Sequence, residues 1–105
     1  MVVIWSAQAE QSLASVVEFI ARENVQAALA MDMAIQNAAD GLAVFPHKGK
    51  PGRVPGTREL VVHEHDIVVY MLTDNAVYIV AVLHTSLRWP LPDRYGNDPA
   101  TGRMR

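Results

Sequence analysis

The fold is decided by residues 57–83, which read TRELVVHEHDIVVYMLTDNAVYIVAVL. Three segments of this stretch are rich in β-branched residues, and two short polar segments separate them. The apolar segments are 57–62, 67–72 and 77–83, and the polar ones are 63–66 and 73–76. Such spacing is typical of consecutive strands joined by hairpin turns. The stretch therefore predicts a three-stranded antiparallel meander.

The residues before this meander predict one strand and two helices. Residues 2–5 form a short run of strand formers, and Ser6 is a suitable N-cap for the helix that follows. Apolar residues recur at helical spacing through 7–42, and Asn24 can cap a second helix within that range. We expect an α+β fold of order β-α-α-β-β-β. The first strand should join an edge of the meander, and the helical hairpin should cover one face of the sheet.

Length and composition place these elements in a single domain. Half of the 105 residues are hydrophobic, which is enough for one core, and the absence of cysteine excludes a disulfide framework. We predict a domain over residues 1–90 and a flexible tail over 91–105, which is rich in Pro, Gly, Asp and Arg. No run of about 18 apolar residues is present, and the N-terminus does not resemble a secretory signal, so we expect a cytoplasmic protein with no membrane partner.

The cations of the chain gather in and after one loop. Residues 46–56 hold three prolines and three glycines and carry Lys48, Lys50 and Arg53; Arg58 follows on the next strand. The formal net charge is −2, so a role with nucleic acid would need such a local patch. Two interpretations stay open. These four cations form a basic patch for a partner, or they are solvated, with Arg58 and Glu59 as an ion pair on the surface.

The four histidines give two further hypotheses. His47, His63, His65 and His84 match no strong zinc spacing, and Glu64 and Asp66 suggest a solvated turn, so we expect neither a metal nor a cofactor. His84 differs because it ends a strand close to Arg88. It could serve as a general acid or base with Arg88 stabilising phosphate charge, or it could be a structural histidine that binds the tail.

Four local motifs occur in a fixed order. They are IWS at 4–6, FP at 45–46 with Gly49 and Arg53 after it, PGTREL at 55–60, and VLHTS at 82–86 with RWP at 88–90. In order and spacing they resemble the RelE/ParE superfamily of toxins over about the first 90 residues. The resemblance implies the toxin of a bacterial type II toxin–antitoxin system, which causes growth arrest until its cognate antitoxin binds it in a hetero-oligomer. Together with the cations it indicates contacts to a target or antitoxin at Lys48, Lys50, Arg53, Arg58, Leu87, Arg88 and Trp89.

The resemblance departs from the family pattern at Leu87. The closing motif of the family most often has arginine three residues after the histidine, where this chain has Leu87, with Arg88 next to it. Natural divergence and a detoxifying substitution both fit this departure. Whether the chain as it stands is toxic is therefore an open question.

Three functions fit the resemblance. Members of the superfamily are either poisons of DNA gyrase or ribosome-dependent mRNA endonucleases. In the endonuclease branch, the resemblance implies a surface dense in Lys and Arg and a cation just before the apolar part of the middle strand. This chain has Ile67 at that position. We therefore expect a ParE-like gyrase inhibitor without covalent chemistry of its own. The alternatives are a RelE-like mRNA endonuclease, with His84 and Arg88 as catalytic residues, and an inactive relative that binds an antitoxin.

Overall fold

The computed structural model describes residues 1–85 and two short antiparallel strands beyond them, β6 (Asn97–Asp98) and β7 (Arg103–Met104). The elements of the described domain are β1 (Val2–Trp5), α1 (Ala7–Ala21), α2 (Val25–Gly41), β2 (Lys50–Pro51), β3 (Arg58–His63), β4 (Asp66–Leu72) and β5 (Ala76–His84). They confirm the predicted α+β order with one addition. Apart from β6 and β7, the predicted tail lies outside the described residues.

The addition is β2, which the sequence analysis assigned to a loop. It has only two residues and pairs with β3 at the edge of the sheet. Proline is tolerated at an edge, where its missing N–H removes no ladder hydrogen bond. So short a segment, flanked by glycine, carries no periodicity from which a strand could be predicted.

The sheet has the strand order β1-β5-β4-β3-β2. β1 runs parallel to β5, and every other neighbouring pair is antiparallel. This confirms that the first strand joins an edge of the meander. Among the described residues, neither helix is long and apolar enough to cross a membrane.

Both predicted helix caps are confirmed. The Oγ of Ser6 accepts a hydrogen bond from the backbone N–H of Ala9 at 2.9 Å, and the Oδ1 of Asn24 accepts one from Ala27 at 2.9 Å. The helices cover one face of the sheet, and the core lies between them. Its fully buried members include Val16, Ile35, Leu42, Tyr70, Val77, Ile79 and Val82.

Helix α1 also completes the edge of β5 beyond the end of β1. The Ser6 hydroxyl donates to the carbonyl of Val80 at 3.3 Å. The buried Ser12 hydroxyl accepts from the backbone N–H of Val82 at 2.8 Å and donates to the carbonyl of Ala9 at 3.0 Å. Buried backbone groups need such partners, so two serine side chains here replace strand pairing.

Candidate functional site

A buried tyrosine fastens the cationic loop to the sheet. Tyr70 is fully buried on β4, and its hydroxyl donates to the carbonyl of Pro46 at 2.7 Å and accepts from the N–H of Gly49 at 2.9 Å. A Cβ at Gly49 would lie 2.7 Å from the Tyr70 hydroxyl oxygen, so only glycine fits at this position. The loop that carries Lys48 and Lys50 therefore has a fixed position on the sheet.

Arg58 lies beside Tyr70 and braces the same loop. The two residues are cross-strand partners and share the face of the sheet that the helices cover. The Arg58 guanidinium donates through Nη2 to the carbonyls of His47 at 3.2 Å and Gly49 at 2.5 Å, while its Nε is buried and has no hydrogen-bond partner among residues 1–85. The interpretation of Arg58 and Glu59 as a surface ion pair is therefore wrong, since adjacent strand residues face opposite ways and Arg58 contacts the loop.

Glu59 pairs with Arg53 instead. Only 4% of its side chain is exposed, and its carboxylate accepts three hydrogen bonds from Arg53: Nε at 3.0 Å, Nη2 at 3.2 Å and the backbone N–H at 3.0 Å. Burial acts to raise the pKa of Glu59. The hydrogen bonds from Arg53 and the charges of Arg53 and Lys50 outweigh burial, so the pKa is lowered from its ordinary value of 4.5. The result is an ionised pair that holds the end of the loop against the sheet.

The four predicted cations thus meet at one corner but differ in how they are used. Arg53 and Arg58 each bind a partner within the fold, on opposite faces of the sheet, and 54% of the Arg53 side chain remains exposed. Lys48 and Lys50 are exposed, and no ion pair engages them within residues 1–85. Next to Lys48 is a groove of about 540 Å³ lined by Val44, Phe45, Pro46, His47 and Lys48. The accessible surface of this corner is therefore mixed, with two lysines beside exposed apolar side chains.

A histidine–aspartate pair lies at the ends of β4 and β5. His84 Nδ1 is 2.8 Å from Oδ1 of Asp66, and 1% of the Asp66 side chain is exposed. The prediction of Asp66 as part of a solvated turn is wrong, because its side chain turns into the helix-covered face to meet His84. The imidazole packs against the ring of Phe19 at a centroid distance of 5.5 Å. A buried carboxylate therefore fixes the orientation of a largely buried imidazole.

This pair borders a cavity near the turn between the helices. The cavity measures about 440 Å³ and is lined by Phe19, Ile20, Arg22, Glu23, Asn24, Ala27 and His84. It brings one cation, Arg22, to the same opening as the imidazole. An imidazole oriented by a carboxylate can take or give a proton, which is the arrangement that general acid–base chemistry uses.

The other histidines lie apart from one another. His65 lies 5.9 Å from the ring of His84 and contacts Thr85 through Nδ1 at 2.8 Å, while His63 is exposed on β3. Within the described part of the chain, no three His, Asp or Glu side chains are grouped as metal ligands would be. Leu87, Arg88 and Trp89 lie outside the described residues.

The residues that organise both corners were not predicted from the sequence. Tyr70 and Gly49 form the loop anchor, and Asp66 orients His84. The period-two alternation of β4 was the available signal, because it places Asp66 and Tyr70 on the same face as the buried Val68.

A two-helix hairpin over a meander with a parallel N-terminal strand is the fold of the RelE/ParE class of small toxins. The family described as "ParE toxin of type II toxin-antitoxin system, parDE" matches residues 3–89. The chain belongs to this family and is thus a toxin of the RelE/ParE superfamily.

Individual relatives agree with this assignment. The toxin Y4kP of Sinorhizobium fredii is 31% identical over 86 residues, which cover 82% of this chain and 90% of the relative. Toxin RelE2 of Caulobacter vibrioides is 31% identical over 84 residues, which cover 80% of this chain and 94% of the relative. Among solved structures, a chain of the chromosomal ParDE system from P. aeruginosa has the same fold, with a TM-score of 0.69 at 18% identity over 80% of this chain and 95% of that one. The YoeB dimer from Staphylococcus aureus follows with a TM-score of 0.55 at 12% identity, over 80% and 95% of the two chains.

Proposed function

We propose that this chain inhibits DNA gyrase by binding to it as a protein, in the manner implied by the ParE-like branch of its family. The observation that carries the proposal is how the cations are used. Arg53 is bound by Glu59, and Arg58 by loop carbonyls. RNA cleavage needs free cations to neutralise phosphate, and the loop corner offers only Lys48 and Lys50.

The same corner has the composition of a protein-binding surface. Phe45 is 68% exposed and Val44 70% exposed, and both lie next to Lys48 in a loop that Tyr70 holds in place. Aromatic residues such as Phe45 are enriched at the core of protein interfaces relative to the rest of the surface. A fixed loop also loses little entropy on binding. We therefore assign the gyrase contact to residues 44–50.

The proposed mechanism involves no covalent chemistry by the toxin. The chain would bind gyrase while its DNA is cleaved, and would hold that complex so that religation stops. The consequence is growth arrest, and the place of action is the cytoplasm, where gyrase works.

The proposed regulator is a cognate antitoxin. A groove of about 390 Å³ runs beside Trp5 between the helices, lined by Leu13, Ala14 and Val17 with Glu10, Asp32 and Gln36 at its rim. A groove of this kind suits an amphipathic helix of a partner. We expect the C-terminal segment of the antitoxin to wrap the toxin there in a hetero-oligomer and to add a strand at an open sheet edge.

The gyrase contact is tested by substitution of an exposed residue. Phe45→Ser removes the apolar surface without disturbing the core, and Val61→Ser, at a residue 52% exposed on β3, is the matched control. In a background with Leu87→Arg, we expect Phe45→Ser to raise the concentration that inhibits supercoiling at least tenfold and Val61→Ser to leave it unchanged. Equal inhibition by both variants would exclude residues 44–50 as the contact.

A second function, cleavage of ribosome-bound mRNA, is favoured by the pair of Asp66 and His84. Its imidazole is oriented as a general base requires, and Arg22 shares its cavity. If this function holds, Asp66→Asn and His84→Gln would each lower the cleavage rate at least a hundredfold, and His63→Gln, at an exposed position, would not. Gyrase inhibition by the same variants at full strength would instead assign the pair a structural role. Absence of growth arrest with both Leu87 and Leu87→Arg would indicate an inactive, antitoxin-binding relative.

A further inference from the structure

The face of the sheet turned away from the helices is apolar and buried at its centre. Four side chains of β4 and β5 form a hydrophobic cluster there, the outer cluster, and their exposed fractions lie between 0 and 9%: Ile67, Val69, Ala81 and Leu83. Both helices pack on the opposite face, and among residues 1–85 only Val80 adds a further hydrophobic side chain to the cluster. Arg53 lies on this face bound to Glu59, the cross-strand partner of Val69, at the edge remote from Leu83. The end of the outer cluster at Leu83 is therefore covered by something other than the helices or Arg53.

Neighbouring residues on the same face show how exposed an uncovered position is. Val61, the cross-strand partner of Ile67, is 52% exposed. Met71, two residues beyond Val69 on β4, is 43% exposed. A sheet with one face in water ordinarily alternates apolar and polar residues, whereas β4 and β5 are apolar almost throughout. The outer cluster therefore has the composition and the burial of a sheet face with a second layer packed on it.

The chain leaves the sheet next to this cluster. Ile67 and Leu83 are cross-strand partners near the end of β5. The backbone N–H of Thr85 donates to the carbonyl of His65 at 2.8 Å, so the chain departs from this same corner. The outer cluster extends only about 7 Å along the strands, which a few residues can span. Residues 86–105 continue from here and contain five large apolar or aromatic side chains: Leu87, Trp89, Leu91, Tyr95 and Met104.

Part of that segment forms a short antiparallel ribbon, in which β6 pairs with β7. A ribbon with two residues in each strand is not stable alone in water and needs a surface to pack on. We propose that residues 86–105 fold back over the outer cluster and form a second layer on that face of the sheet. A tail held there is not the flexible one that its composition predicts, and while it is in place this part of the face is closed to a second copy or an antitoxin. This inference does not depend on the target of the toxin.

Paramagnetic labels on the full-length chain test where residues 86–105 lie. The chain has no cysteine, so Val61→Cys and Met33→Cys each accept a single nitroxide. Val61 is exposed at the rim of the outer cluster, and Met33 is exposed on α2, on the other side of the sheet. We expect the label on Val61→Cys to broaden the amide NMR signals of residues 86–105 and the label on Met33→Cys to leave them sharp. Signals that neither label broadens, or that both labels broaden alike, would overturn the proposal.

A mixed sample distinguishes the tail from a second copy of the chain. One chain carries the nitroxide on Val61→Cys, and the other has no nitroxide but carries the isotope that the NMR experiment detects. We expect the signals of residues 86–105 to stay sharp in this mixture, because the cover comes from the same chain. Broadening as strong as in the singly labelled chain would assign the cover to a second copy and overturn the proposal.

Thiol reactivity tests the cover itself. Ala81→Cys places a thiol in the outer cluster, and Ala39→Cys, equally buried in the core between the helices and the sheet, is the matched control. Serine in place of the five large tail residues of the full-length chain should speed the reaction of Ala81→Cys at least about tenfold and that of Ala39→Cys less than about twofold. Equal rates for Ala81→Cys with and without these serines would show that the tail is not the cover. An equal rise at both thiols would mean that the serine variant has lost its fold, and the nitroxide experiment, which keeps the natural tail, then decides.

Discussion

Removal of one buried hydroxyl should destabilise the protein more than its size suggests. Ser12 is 6% exposed, and its Oγ is the partner of the buried N–H of Val82 at 2.8 Å. In Ser12→Ala that N–H has no partner, which costs about 1–3 kcal/mol. The higher helix propensity of alanine offsets about 0.5 kcal/mol of this loss. We expect the free energy of unfolding to fall by about 1–2 kcal/mol.

Urea unfolding followed by circular dichroism measures this difference. The urea concentration at the midpoint of unfolding should fall. The slope of unfolding free energy against urea concentration should change little, because both proteins expose the same surface on unfolding. Ser15→Ala is the matched control, because Ser15 is exposed on the same helix. This variant should raise the free energy of unfolding by about 0.5 kcal/mol. If Ser12→Ala proves as stable as Ser15→Ala, the Ser12 hydroxyl does not stabilise the edge of β5.

Two further predictions concern the loop corner. Gly49→Ala places a Cβ 2.7 Å from the buried hydroxyl oxygen of Tyr70 and should lower the free energy of unfolding by about 2 kcal/mol. Gly41→Ala, where an added Cβ has no heavy atom within 4 Å, should raise the free energy of unfolding by about 0.5–1 kcal/mol. Thermal melts of both variants check this prediction, and equal melting temperatures would contradict it. Glu59→Gln should destabilise the protein by about 1 kcal/mol at pH 7, discounted for the exposure of Arg53. Because the pKa of Glu59 is lowered on folding, its contribution is fully present above pH 4.5 and is lost as the pH falls further, so the difference between the two proteins should shrink on acidification. A difference that stays constant down to pH 3 in urea titrations would rule out the ionised pair as its source.

The elements of the fold could be predicted because they are encoded locally. The N-caps Ser6 and Asn24 act on amides three residues away, and strand alternation repeats every two residues. The short strand β2 could not be predicted, because its pairing depends on where the loop is held by Tyr70. That anchor joins residues more than twenty positions apart.

The site was harder to predict than the fold, since partner choice depends on register. From the sequence alone, Glu59 could pair with Arg58 or with Arg53. Because Arg58 and Glu59 are adjacent on a strand and face opposite sides of the sheet, Glu59 pairs with Arg53. Asp66 meets His84 only because β4 and β5 are aligned at that point, with a bulge shifting the register further along the pair. A bulge of one residue reverses the faces and leaves no mark in composition.

The action proposed for this toxin is binding to gyrase. The most direct measurement is the amount of gyrase covalently trapped on cleaved DNA in bacteria that express the Leu87→Arg form, with and without its antitoxin. We predict that cleaved complexes accumulate on induction, that they disappear when the antitoxin is co-expressed, and that Phe45→Ser prevents them. Growth arrest without cleaved complexes, accompanied by cleavage of ribosome-bound mRNA that depends on His84, would contradict this account.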